Sequence, residues 1–378
     1  MIERKVAEVF PPGVFIKEEL DARGWSQVEL AEIIGRSPVE VNALVLGKRA
    51  VTPEMAKELG DAFGTDAQYW MNLESTYQLH RTKDADNAIS RRAKLHQIAP
   101  IREMVKRHWL EMSENIDVLE HRVKRFFGIS DLEKPIPFLH AARRGTQEIT
   151  PTLIAWFYRA KQLACAVHAK PFSERSFKSG LNELKTLLPN TQDVRHIPRI
   201  LAEAGIRFLV VEHLPKTRID GVAFWLDEKS PVIVLSLRYD RIDWFWFTLA
   251  HELGHVGRRD GLRNTPMTFD TDLVGDEVMP EEQESESERE ASRFATEFLI
   301  NQSELRSFIA RVSPLYSRTK IIGFASTIGV HPGIVVGQLQ HRKEIGWAVH
   351  RQMLDKVRNT IIQSALTDGW GHTTPILS

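Results

Sequence analysis

Residues 243–256 read DWFWFTLAHELGHV, and this stretch decides how the second half of the chain folds. It is apolar and rich in aromatic residues, it holds no proline, and its one glycine, Gly254, comes late. The pattern predicts a helix, stopped by Gly257 with Arg258 and Arg259 behind it. On a helix His251 and His255 stand one turn apart on the same face, their Cβ atoms roughly 5–6 Å apart. Two imidazoles so placed can both reach one Zn²⁺ at about 2.0–2.1 Å. Glu252 is one step round the helix, near the metal but poorly placed to complete the chelate. It is therefore free to take a proton from a metal-bound water. The alternative is a buried helix whose histidines hydrogen-bond to neighbours. A third protein ligand decides between the two.

Downstream, residues 260–287 are polar and acidic and read as a loop. A helical period then resumes over 288–300, EREASRFATEFLI. Its inward face carries Ala291, Ala295, Phe298 and Leu299, and Glu288 continues that stripe one turn earlier. A carboxylate on an apolar stripe is costly to bury unless it is paired or bound to a metal. Glu288 is thus the best third ligand, with Glu284, one turn earlier again, as runner-up. Glu290 falls on another face with Phe294 and Glu297. Glu281, Glu282, Glu284 and Glu286 also read as a solvated loop. Upstream, RFLVV (207–211), GVAFWL (221–226) and PVIVLSL (231–237) are β-rich runs between turn-like segments, which predicts a small antiparallel sheet before the helix. An exposed edge of such a sheet can hold a peptide extended beside a metal.

HELGH followed by an E-x-x-A-x-x-F-A-x-E helix resembles the ImmA/IrrE metallopeptidases, over roughly residues 200–310. That resemblance implies a zincin-like fold, Zn²⁺ held by His251, His255 and Glu288, and Glu252 as general base. It also implies cleavage of helix-turn-helix repressors or antitoxins in bacterial stress and phage responses. Two familiar positions differ: Ser292 stands where Asn is usual, and Asn301 where Pro usually closes the helix.

The composition bounds the remainder. The chain has 378 residues, with 50 Lys plus Arg against 50 Asp plus Glu and a single cysteine, Cys165. Length calls for more than one core. Balanced charge excludes a global polycation, so contact with nucleic acid needs a local patch. One cysteine excludes a disulfide framework or a Cys-rich zinc finger. The opening MIERKVAEVFPPG lacks a signal-peptide core and no run spans a bilayer, so the expectation is a cytoplasmic protein with no membrane partner.

Residues 12–80 are punctuated as five short helices. Ser26-Gln27-Val28-Glu29 and Ser37-Pro38-Val39-Glu40 are capping boxes opening the second and third, and Gly24, Gly35 and Gly64 are stops. Two short helices joined by a tight glycine turn inside such a bundle predict a helix-turn-helix. PGVFIKEELDARGWSQVELAEIIG (12–35) and GKRAVTPEMAKELGDAFGTDAQYWMNLE (47–74) resemble the DNA-binding domain of HigA-type antitoxins of the Xre family. The resemblance implies that Gln27 meets a phosphate and that the third helix enters the major groove. It makes Ser37, Val39 and Asn42 the groove-facing residues and puts Lys48 and Arg49 on the backbone. The opening of that helix has no Arg or Gln to read a base bidentately, leaving Asn42 as the best reader. Glu40 serves its capping box.

Residues 81–190 read as helices over 101–112, 116–127, 151–169 and 176–188. Arg91, Arg92, Lys94, Arg102, Lys106 and Arg107 read as a solvated face rather than an extended DNA surface. His96, His108, His121 and His140 share no spacing and read as structural or surface residues. Over 320–339 a helix, a glycine turn and a second helix recur, and buttressing of the fold is preferred to partner binding. The fold expectation is α+β and mainly helical, in five segments. These are a helix-turn-helix domain (1–80), a helical scaffold (81–199), a peptidase domain (200–310), a helix-turn-helix-like extension (311–346) and a tail (347–378). The functional expectation is a zinc endopeptidase fused to a DNA-binding domain that regulates transcription by cleaving a repressor or antitoxin. Its partners would be operator DNA, a protein substrate, a toxin and a second copy as homodimer. The alternative is a repressor or antitoxin that uses the peptidase fold as a non-catalytic sensor or scaffold.

Overall fold

A computed structural model describes residues 9–82, 87–134, 136, 149–262, 269–271, 273 and 285–369. The chain divides into two units, Met1–Arg91 and Arg92–Ser378. The runner-up ligand Glu284, His140 and the residues from Gly371 onward lie outside the described residues.

The first unit is helical: α1 (Pro12–Arg23), α2 (Gln27–Ile33), α3 (Pro38–Val45), α4 (Pro53–Phe63) and α5 (Ala67–Arg81), with α6 (Ala88–Ile98) following. Both capping boxes form. Ser26 Oγ accepts from Glu29 N and Ser37 Oγ from Glu40 N, each at 3.2 Å, while the two glutamates accept from the serine amides. Each cap stabilises its helix start by about 1 kcal/mol. Ile16, Leu20, Leu30, Leu44, Leu59 and Trp70 fill the centre. Arg36, in the turn between α2 and α3, donates to both oxygens of Glu58 at 2.9 and 2.7 Å, fixing that turn against α4.

The second unit continues with α7 (Ile101–Lys106), α8 (Ile116–Phe127), α9 (Pro151–Ala164), α10 (Glu174–Lys185) and α11 (Ile197–Ala204). Strands β1 (Arg207–Val211), β2 (Ile219–Trp225) and β3 (Pro231–Leu235) precede α12 (Ile242–Arg258). Then come β4 (Asp270–Thr271), α13 (Glu286–Leu299), α14 (Gln302–Val312), α15 (Arg318–Ile328), α16 (Pro332–His341), α17 (Arg358–Ile361) and β5 (Leu366–Asp368). Helix α7 is shorter than its periodicity predicts. Arg107 leaves it so that its guanidinium can donate to the carbonyls of His213 (2.8 Å) and Glu212 (3.3 Å). Helix α13 starts two residues early because Ser285 caps it, its Oγ accepting from Glu288 N.

The sheet is mixed, in the order β4-β2-β3-β1-β5, rather than antiparallel throughout. β2 and β3 form an antiparallel hairpin with Gly221 opposite Leu235. The hairpin sets β3, not β2, beside β1, so β1 and β3 run the same way with Phe208 opposite Ile233. β5 joins the far side parallel to β1. Every residue of β3 is buried, as in a strand covered on both faces. Residues 320–339 form the expected helix–glycine–helix, and Ile321, Phe324, Ile334 and Val336 sit in the same core as Phe245 and Leu249. β5 lies inside the segment expected as a tail. It is anchored by an ion pair between its buried Asp368 and Arg159 of α9. No single described helix is long and apolar enough to cross a membrane.

Candidate metal centre and helix-turn-helix face

Helix α12 lies against β2 and β3 on one side and against α13 and α16 on others. Trp246, Leu249, Ala250, Leu253 and Val256 are buried, as befits a helix apolar nearly all round. His251 and Glu252 are fully buried among them, and His255 is 3% exposed. Placing such groups in an apolar core costs several kcal/mol, so their position calls for a function other than stability. Gly254 controls what faces them. A Cβ there would come 3.1 Å from Ala291 Cα, so the glycine of HELGH lets α13 approach closely enough to deliver Glu288.

The three predicted ligands meet. His251 Nε2 lies 3.0 Å from His255 Nε2 and 3.1 Å from Glu288 Oε2, and His255 Nε2 lies 3.6 Å from the same oxygen. Donors held about 2.0–2.1 Å from a tetrahedral Zn²⁺ stand about 3.3 Å apart, which these separations bracket. Glu288 Oε1 is buried with no hydrogen-bond partner among the described residues. A carboxylate can only accept, so the 2.9 Å contact between His255 Nδ1 and Asp260 Oδ2 puts the proton on Nδ1. That tautomer turns a lone pair of Nε2 towards His251 and Glu288. The residues therefore fit a divalent cation. Glu290, set apart by its face, pairs instead with Arg258.

Glu252 points at β2. A Cβ on Gly221 would overlap its Oε1 and touch Thr248 Cγ2, so only glycine lets the strand pass the carboxylate this closely. One turn before His251, a cavity of about 50 Å³ opens beside Phe247, lined also by Trp244, Leu273, Ile334, His341 and Trp347. The Phe247 and His251 rings are 6.2 Å apart between centroids, so cavity and cluster adjoin on one helix face.

The helix-turn-helix profile matches residues 16–70, and the profile of the IrrE N-terminal-like domain matches residues 203–331. The chain carries an IrrE/ImmA-like domain, with an Xre-type helix-turn-helix domain in front. Over 75 residues the chain is 37% identical to the uncharacterised HTH-type transcriptional regulator YddM of Escherichia coli (strain K12), covering 20% of this chain and 80% of that protein. Over 80 residues it is 34% identical to virulence-associated protein I of Dichelobacter nodosus, covering 21% and 74%. Among solved structures, the Pseudomonas aeruginosa antitoxin HigA with the higBA promoter is 33% identical, covering 25% of this chain and 99% of that one, at a TM-score of 0.20.

Two residues of the IrrE-like site escape sequence reasoning. Arg259 takes a left-handed conformation (φ 61°) that closes α12 and folds Asp260 back, its amide donating to His255 O at 3.0 Å. A carboxylate just past a helix end is a usable signal for such a contact. Ser292, at the position where the family usually has Asn, sits 3.3 Å from His251 Nδ1 and can accept its proton.

In the helix-turn-helix domain, Gln27 opens α2 and is half-buried, while Ser37, Val39, Asn42, Lys48 and Arg49 are exposed. Val39 and Asn42 share one face of α3. Arg49 is engaged within the protein, its Nη1 2.6 Å from Glu40 Oε1. Its side chain stays 42% exposed.

Proposed function

We propose that the second unit is a zinc-dependent endopeptidase, that the first binds operator DNA, and that together they regulate transcription by removing a helix-turn-helix repressor or antitoxin. The convergence of His251 Nε2, His255 Nε2 and Glu288 Oε2 beside a buried Glu252 carries this reading. His251, His255 and Glu288 would hold the ion, and a Zn²⁺ so held supplies Lewis-acid polarisation and a water acidified to about pKa 7. Glu252, on the same turn of helix, takes the proton of the attacking water and returns it to the leaving amine. Asp260 keeps the His255 proton on Nδ1. The cavity beside Phe247 seats an apolar substrate side chain, and its few water-sized volumes suit one such group. The helix-turn-helix match and the 37% identity to a transcriptional regulator support the DNA-binding half. Ser37, Val39 and Asn42 would face the groove, Lys48 the backbone, and Gln27 at the α2 N-terminus a phosphate. A second copy would complete a two-fold binder.

Metal analysis of purified protein tests the centre: about one zinc per chain is expected, lost in Glu288→Ala. Glu252→Gln should keep the metal and abolish cleavage of a co-expressed helix-turn-helix repressor. Cleavage that survives in Glu252→Gln defeats the mechanism. Absence of metal from the wild type, with none taken up on titration, points to a regulator without catalysis.

A further inference from the structure

Val39 is 77% exposed, more than any other large apolar side chain among the described residues. It occupies the second position of α3, after the Ser37 cap and Pro38. The N-terminal residues of a recognition helix are those brought to base edges in the major groove. Around Val39 the polar groups are already engaged. Ser37 Oγ accepts from Glu40 N, Glu40 Oε2 accepts from Ser37 N at 3.2 Å, and Glu40 Oε1 pairs with Arg49. Arg36 is held bidentately by Glu58. Pro38 has no N–H to offer. At the opening of the helix the side chain left facing outward is an isopropyl group.

An isopropyl group can neither donate nor accept a hydrogen bond. Among base edges in the major groove, the thymine C5-methyl is the apolar feature it can recognise. Resting on the DNA-binding reading above, we propose that Val39 packs on a thymine methyl, so that the operator carries an A·T pair with thymine towards this residue. The protein reads that position by burial of one methyl group, without a hydrogen bond.

The test uses the full chain. Duplexes selected from a random pool at low salt are resynthesised with deoxyuridine replacing thymidine one position at a time, which removes the methyl and nothing else. At one position the wild type should lose about fourfold in affinity, the worth of one buried methyl group. Val39→Ala, whose thermal melting should match the wild type because the residue is on the surface, should bind the thymine and uracil duplexes alike. If no thymine-to-uracil change matters to the wild type, or the same change still matters to Val39→Ala, the proposal is overturned. If no sequence is enriched at all at low salt, the DNA-binding reading itself fails and Val39 belongs to a protein interface.

Discussion

His255 Nδ1, Ser287 Oγ and Arg258 Nε all reach one oxygen, Asp260 Oδ2, at 2.9, 2.6 and 3.3 Å. The contact fixes the His255 ring and ties the end of α12 to the start of α13, so Asp260 positions a candidate ligand that it does not join. Asp260→Ala is expected to lower metal affinity about 10–100-fold while the fold is kept, as loss of such a partner usually does. Competition against a chelating dye measures it. Gly221→Ala makes a different prediction, because its Cβ would displace the Glu252 carboxylate: zinc content unchanged, cleavage lost. Equal loss of both would show that the strand, not the base, is disturbed. His251, His255 and Glu288 were legible because helical periods alone put them on the right faces. Asp260, Ser292 and Gly221 were not, since they act through a left-handed turn and through the packing of separate elements, neither of which has a spacing to read.

At the scale of elements, boundaries set by local chemistry were legible and those set by tertiary contact were not. Capping boxes marked the starts of α2 and α3, and Gly24, Gly35 and Gly64 the stops of α1, α2 and α4. Helix α7 was overestimated because the long-range bonds of Arg107 override its periodicity, and β5 was missed because three residues after a loop carry no period. Burial also sets a pH response in these elements. His213, beside β1, and His331, the N-cap of α16, are both held below the usual histidine pKa of 6.5. Desolvation is the cause, outweighing Glu212 in one case and Asp355 in the other. Below pH 6.5 the unfolded chain binds protons that the folded one refuses, so stability rises with pH through this range and falls on acidification. Chemical denaturation between pH 7.5 and 5.5 should show a falling midpoint for the second unit, and His331→Gln should flatten the slope. A midpoint constant over that range contradicts the assignment.

Each unit of the whole molecule is built round its own core, one centred on Leu59 and Trp70 and the other on Trp246 and Leu249. An ion that binds only the folded second unit stabilises it by mass action, about 2.7 kcal/mol at a hundredfold excess over Kd. Calorimetry of the full chain with and without chelator should therefore move the transition of residues 92–378 and leave that of residues 1–91 in place. A shift of both would mean that the ion serves more than the centre. The sheet adds a matter of timing. Its outer strand, β5, is drawn from residues 366–368, the last of the described strands to be synthesised, although the helices that carry His251, His255 and Glu288 end at Leu299. At ribosomal speeds of about 5–20 residues per second, roughly 15–55 s separate the emergence of residue 91 from that of β5. During every round of translation the helix-turn-helix unit is thus complete while the sheet behind the His251–His255–Glu288 cluster still lacks an edge.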